Sequence, residues 1–218
     1  MNTQLTNALE APVVPVAQQD GLIHISDLNN DIAIHFPVWS GAVEGIDTNQ
    51  LIINGLLVEE PSIIPEGATE LTLYIPVATH LQDDGIYSVG YRATNVVGGV
   101  SADSKSTQIR IDRTAPGAAL LAGVLFANVS FGDNLVGRIP GYAGMEVGNM
   151  IQTLCNDMIG PACLVTTDNL TNTPITITFP REFLQSLDSD TVTITYQVTD
   201  RAGNRSILAE PVELTMQR

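Results

Sequence analysis

The chain has 218 residues, 44% hydrophobic and 15% charged, which suits one large all-β domain or two of about 100 to 110 residues and argues against disorder over most of its length. Nine Lys and Arg against 24 Asp and Glu give a net charge of -15, which repels phosphate backbones and anionic headgroups and so excludes nucleic-acid binding. No run approaches the ~18 to 20 apolar residues of a spanning helix, so no membrane insertion is expected.

Residues 1–10 read as a flexible N-terminal segment. Met1 to Asn7 holds no Lys or Arg and no apolar stretch, so a cleavable secretory signal is not expected; the protein is cytosolic, leaves by another route, or is a piece of something longer. His24 and His35 sit in strand-like runs, Ile23-His24-Ile25 and Ile34-His35-Phe36, and read as solvent-facing strand residues. Trp39 reads as a core or end-cap aromatic, with a sugar-stacking platform as the alternative. Asn54-Gly55, between Leu51-Ile52-Ile53 and Leu56-Leu57-Val58, predicts a two-residue hairpin because both turn positions need positive φ. Residues 59–70 read as an irregular loop. Leu71, Leu73 and Ile75 alternate with Thr72 and Tyr74 as a half-buried strand. A short helical piece is expected over 77–82, and a last strand at Ile109 and Ile111.

The same order then recurs. Thr94 to Ser101 aligns with Thr199 to Ser206 at an offset of 105, and Leu71 to Pro76 with Ile175 to Pro180 at 104. Phe36 to Gly41 aligns with Ile139 to Gly144 at 103, and Gln50 to Asn54 with Gln152 to Asn156 at 102. Four collinear matches whose offsets drift by single residues describe one domain written twice, 11–113 and 114–218. The boundary falls at Asp112-Arg113-Thr114-Ala115-Pro116-Gly117, where Pro and Gly end a strand. In the second copy, Ile175, Ile177 and Phe179, then Val192, Ile194, Tyr196 and Val198, carry the alternation; Leu214 and Met216 close it, and residues 181–187 form the helical piece. Asn156-Asp157 stands where Asn54-Gly55 stood, and residues 155–173 read as an irregular loop.

Six or seven short strands per copy, with one helical crossover before the penultimate strand, predict two tandem antiparallel β-sandwiches, an all-β protein. Asp83-Asp84-Gly85-Ile86-Tyr87 has the spacing of a tyrosine corner, or leaves Tyr87 an ordinary strand aromatic. The second copy departs from it, with Val192 in that place. Tyr196-Gln197-Val198-Thr199-Asp200-Arg201-Ala202-Gly203-Asn204-Arg205-Ser206, the linker Asp112 to Pro116, and Tyr142 to Gly148 resemble the tandem bacterial immunoglobulin-like repeats of large surface and secreted adhesin-type proteins. The resemblance covers about 200 residues. It implies an immunoglobulin-like sandwich, a location outside the cell or on its surface, and a role in adhesion or as a spacer.

No pattern for chemistry competes with that expectation. There is no Gly-x-Ser-x-Gly, no Ser-x-x-Lys and no phosphate loop, and no catalytic residue is assigned. The glycines at 41, 45, 98, 99, 144 and 148 read as turn residues. Cys155 and Cys163, with seven residues between them that include Gly160 and Pro161, either form a local disulfide across a hairpin or remain two apolar-behaving thiols. Zinc lacks ligands, because the histidines at 24, 35 and 80 lie in the other half. No cofactor is expected except that calcium stays open: Asp27-x-Asn29-x-Asp31 opens like a calcium loop, but Ile32 and Val38 stand where Gly and Glu are needed. Asp83, Asp84 and Asp112 near loop ends offer a softer site, against a plain solvated acidic surface. Asn128, Asn169 and Asn204 begin glycosylation sequons that matter only in a eukaryotic secretory pathway. The leading expectation is a non-enzymatic spacer or interaction rod; the alternative is a module binding an unidentified protein or glycan through Trp39 or the loops 59–70 and 155–173.

Overall fold

A computed structural model describes residues 9–127, 134–171 and 174–216. Two compact units divide between Arg113 and Thr114.

In unit 1, β1 (Ile32–Pro37) pairs antiparallel with β4 (Glu70–Ile75), Ile34 opposite Leu73, and Val13 bridges to His35 on the other side of β1. The second sheet runs β3 (Leu56–Ile63), β2 (Thr48–Ile53), β5 (Gly85–Asn95), with β6 (Val100–Asp103) and β7 (Thr107–Ile111) both paired to β5. Period-two alternation turns one face of each strand inward. Ile32, Ile34, Phe36, Leu71, Leu73 and Ile75 from the first sheet thus meet Leu51, Ile53, Val89, Tyr91, Ile109 and Ile111 from the second in one core. Phe36 and Tyr91 stack between the sheets, ring centroids 3.7 Å apart and planes 13° apart.

Unit 2 repeats the plan. Its β8 (Asn134–Ile139) pairs with β11 (Ile175–Pro180), and β10 (Met158–Leu164), β9 (Met150–Cys155), β12 (Thr191–Thr199) and β13 (Val212–Thr215) follow in order. The ladders keep the sequence offsets. Phe36 faces Leu71 as Ile139 faces Ile175, and Gln50 faces Arg92 as Gln152 faces Gln197. Short helices precede β5 and β12, α1 (Val77–His80) and α3 (Arg181–Ser186). All named strand pairs are antiparallel; the parallel contact is an isolated bridge from Leu22 to Arg110.

Two turns and a corner form as the spacing predicts. Asn54 (φ 51°) and Gly55 (φ 80°) are both left-handed, as are Asn156 (φ 48°) and Asp157 (φ 64°). Each Asn also fastens its hairpin to the next strand: Ser88 N donates to Asn54 Oδ1 at 2.9 Å and Thr193 N to Asn156 Oδ1 at 2.8 Å. The Tyr87 hydroxyl donates to the Asp83 carbonyl at 2.9 Å, which closes the tyrosine corner.

Other features differ from the sequence reading. The supposed irregular loops contain part of the edge strand β3 and the whole of the edge strand β10, and α2 (Thr167–Thr171) lies inside the second. Their alternation is broken because Pro61 and Pro161 cannot donate to a ladder and a register shift accompanies each pairing. The final strand of unit 1 is split at Ser104, whose N donates to Tyr91 O at 2.9 Å while its hydroxyl accepts from Tyr91 N at 3.0 Å. Ser206 makes the same pair of bonds to Val198, both 2.8 Å. Of the expected flexible segment 1–10, residues 1–8 lie outside the described residues; Leu9 is buried, and its carbonyl accepts from Lys105 N at 3.1 Å.

Phe179 is fully buried in the unit 2 core, whereas Trp39, the single Trp of the sequence, is buried in the unit 1 core. Phe179→Ala is expected to destabilise unit 2 by about 3–5 kcal/mol through the cavity it leaves. Urea unfolding followed by Trp39 fluorescence should stay within about 0.5 kcal/mol of the parent, while circular dichroism at a strand wavelength gains an earlier transition. A Trp39 transition that moves with the mutation would show one cooperative core.

Candidate functional site

The loops at one end of unit 1 are built around a buried charge. Residues 38–47, 64–69 and 96–99 meet there, and the Asp47 side chain is wholly buried between them. Its carboxylate accepts from Val43 N at 2.9 Å, Val96 N at 3.0 Å and Asn95 Nδ2 at 3.3 Å. Ile64 N donates to its backbone carbonyl at 3.0 Å, and Gly67 N to the Glu44 carboxylate at 2.8 Å. Three donors offset the cost of burying the carboxylate, so Asp47 serves as a knot rather than a reactive acid. In unit 2 the same place holds Asn149, also wholly buried, whose Oδ1 accepts from Glu146 N at 2.6 Å. The hairpin 199–204 there is closed from within, Asp200 accepting from Asn204 N at 2.8 Å and Asn204 Nδ2 at 2.9 Å. Sequence reading missed Asp47 and Asn149; the available signal was a short polar residue two places after Gly45 and one place after Gly148.

The opposite end of unit 1 carries the acids considered for calcium. Asp27 to Asn29 form a 3₁₀ turn in place of a metal loop. Beside it a cleft of about 350 Å³ is lined by Leu28, Asn29, Asn30, Asp31, Gln82 and Arg113, with Val77 and Ala78. Asp84 accepts from Arg113 N at 2.6 Å and Asp112 pairs with Arg110 at 3.2 Å. Among the described residues no three His, Cys, Asp or Glu side chains group closely enough to hold a metal ion. Of the acids considered for calcium, Asp84 thus serves a backbone donor and Asp112 an arginine.

The histidines are dispersed. His24 and Ser26 share a hydrogen bond at 2.8 Å, His35 and Thr72 one at 2.9 Å, and His80 lies 2.7 Å from Glu59. Trp39 is 7% exposed and packs in the core, which removes the sugar-stacking reading of it: its face is covered by protein. Its counterpart Tyr142 is half-buried, and desolvation raises its phenol pKa. The hydroxyl of Tyr196 donates to the Ala122 carbonyl at 2.8 Å, and burial pushes its pKa up to about 12.

Of the two readings left open for the cysteines, the structure has the pair of thiols. Cys155 and Cys163 are both free. In the β9–β10 ladder Cys163 stands opposite Ile151 and Cys155 opposite Met158, so four residues of strand, roughly 13 Å, separate the two sulfur-bearing positions. A bridge tolerates Cα separations up to only about 7 Å. Burial instead pushes the Cys155 thiol up to about 11 and also raises Cys163.

No family model matches the sequence, and no curated protein matches it. Solved structures do. One, described as a "Ca2+-stabilized adhesin" that "helps an Antarctic bacterium reach out and bind ice", is 16% identical with a TM-score of 0.52 over 96% of this chain and 49% of that one. The fold is that of tandem immunoglobulin-like modules. The chain spans about half the length of that structure. A 1.5-MDa bacterial ice-binding adhesin is 15% identical (TM-score 0.49; 96% of this chain, 64% of that one). The fibronectin(III)-like modules of Clostridium thermocellum CbhA are 12% identical (TM-score 0.44; 95% and 93%). Bacterial adhesin domains and fibronectin-III-like modules are thus what the protein resembles, and at these identities the likeness concerns the fold.

The free, buried thiol of Cys155 gives a pH-dependent prediction. The Cys155 thiol is neutral when protonated, and its folded pKa is about 11 against 9.0 for an unburied thiol. The folded state therefore holds the proton more tightly. That stabilisation is complete below about pH 9 and is lost as pH rises through about 11. Thiol titration of unreduced protein should count two thiols per molecule in denaturant, and Cys155→Ala should flatten the fall in stability over this alkaline window. A count of zero would restore the bridge.

Proposed function

We propose that the protein is a non-enzymatic adhesion or structural module, two immunoglobulin-like units (11–113 and 114–218) serving as a spacer or interaction rod of a bacterial surface or secreted protein. The observation that carries this reading is that each unit closes its own core and fastens its own side of the connection. Arg113 is held within unit 1 by Asp84 and by the Leu81 carbonyl, which accepts from its guanidinium at 3.0 Å. Gly117 N donates to Ala143 O at 2.8 Å within unit 2, where Pro116 is buried. Only residues 114–116 remain between these anchors, and a short anchored connection suits a protein that transmits tension from unit to unit. The adhesin that helps an Antarctic bacterium reach out shares the fold and supports the same reading.

The cleft beside Asn29, Asn30 and Arg113 favours a second reading, a module for a protein or glycan ligand. Pulling a single molecule from its ends should give two unfolding events, each releasing roughly 35 nm, the reach of about 100 residues at ~3.5 Å apiece. One event of twice that length would overturn the independent-unit spacer. Glycan-array binding abolished by Asn30→Ala would instead favour the second reading.

Calcium enters as a surface counterion rather than a structural ion. Asp84 and Asp112 at the end of unit 1 already bond protein donors, and no three acids group there among the described residues, so the melting midpoint should be the same with calcium and with a chelator. A rise that grows with the logarithm of calcium concentration would establish a specific site by linkage.

A further inference from the structure

A matched pair of asparagine turns differs in the residue after the asparagine, and the difference bears on a covalent reaction. Asn54 and Gly55 are both exposed. Ser88 N donates to Asn54 Oδ1 at 2.9 Å, and a donor on that oxygen polarises the amide carbonyl and stabilises the oxyanion that forms when its carbon is attacked. The attacking group is the backbone nitrogen of the next residue. Gly55 has no Cβ, and a Cβ built there would meet nothing within 4 Å, so no side chain crowds the residue that carries that nitrogen.

We propose that Asn54 is a site of spontaneous deamidation in the folded protein. Hydroxide takes the proton of the Gly55 N–H, the nitrogen attacks Asn54 Cγ, a new bond forms between them, and the Cγ–Nδ2 bond breaks to release ammonia. Water opens the resulting succinimide at either carbonyl, leaving Asp or isoaspartate at 54; the sum is amide plus water to carboxylate plus ammonium, with no oxidant or reductant. The Asp product keeps an acceptor for Ser88 N. The isoaspartate product adds a backbone atom to a two-residue turn that sets the β2–β3 register.

Asn156 supplies the internal control. Its Oδ1 accepts from Thr193 N at 2.8 Å, so its carbonyl is polarised in the same way. The next residue, however, is Asp157, whose bulk crowds and whose charge repels the approach of hydroxide. The Asn156 amide nitrogen also donates to Thr191 O at 3.2 Å, which ties down the leaving group.

The test incubates the full-length protein in mildly alkaline buffer without denaturant, cleaves after glutamate, and follows the peptide between Glu44 and Glu59 for a gain of about one mass unit with separation of Asp from isoaspartate forms. Asn54 should convert at least about tenfold faster than Asn156, the ratio that roughly 1.4 kcal/mol of barrier produces. Gly55→Asp should slow it to the Asn156 rate, with the fold intact because Asp157 already holds the same left-handed position, and Asp157→Gly should bring the reaction to Asn156. Equal rates at the two turns in the parent, or an Asn54 rate unmoved by Gly55→Asp, overturns the proposal.

Discussion

The antiparallel ladder between β2 and β5, with its counterpart between β9 and β12, is the constraint on which both units depend. It runs unbroken for six residue pairs in each. Because side chains alternate across a ladder, that register decides which residues enter the core; a slip of one would turn Leu51, Ile53, Tyr91 and Ala93 outward together. It also places Tyr91 and Tyr196 at one level in each sandwich. There the first stacks on Phe36 and the second reaches the Ala122 carbonyl with its hydroxyl. The opposing two-stranded sheets pack against a floor that the ladder has already set.

Sheets leave loose ends and open edges, and the protein deals with both by local polar chemistry. Asp47 and Asn149 tie down the loops that enter the central strand, and Asn54 and Asn156 tie the hairpins that leave it. Ser104 and Ser206 hold the break in the final strand by bonding both backbone groups of one residue on its neighbour. The free edges, β3 and β10, each carry a proline and a register shift, and several of their apolar side chains, such as Leu56 and Ile159, are exposed. A smooth apolar edge would invite another strand to pair; a missing donor and an uneven ladder discourage it.

These features explain what was legible in the sequence. Alternation shows β4, β11 and β12 because one side of each strand is buried and the other wet, and the Asn-Gly turn shows because its backbone has few tenants. The tyrosine corner follows from local spacing, Asp83 to Tyr87. Edge strands escape because none of their side chains is fully buried and their ladders are interrupted, so no period survives in β3 or β10. Asp47 escapes because its partners, Val43 and Val96, are brought together only by the fold. The choice between a bridge and two thiols was not legible for a related reason. Seven intervening residues suggested a closed loop, but a hairpin turning at Asn156-Asp157 sends Cys163 back past Cys155 to the level of Ile151.

The two repeats also show what duplication preserves. Ile34 corresponds to Gly137, and a Cβ at Gly137 would meet Val124 and Phe126 at 2.5 and 2.9 Å. In unit 2 the missing side chain is therefore replaced from the preceding segment, where Phe126 lies 6.1 Å from Phe179. Leu51 corresponds to Thr153, whose buried hydroxyl donates to Pro161 O at 2.5 Å, so a polar atom is tolerated because the edge strand supplies its acceptor. Core volume and hydrogen-bond satisfaction are restored each time by a neighbour on a different strand. The identity of single residues has drifted while the pairing of strands has not, since a substitution can be met locally whereas a register slip cannot.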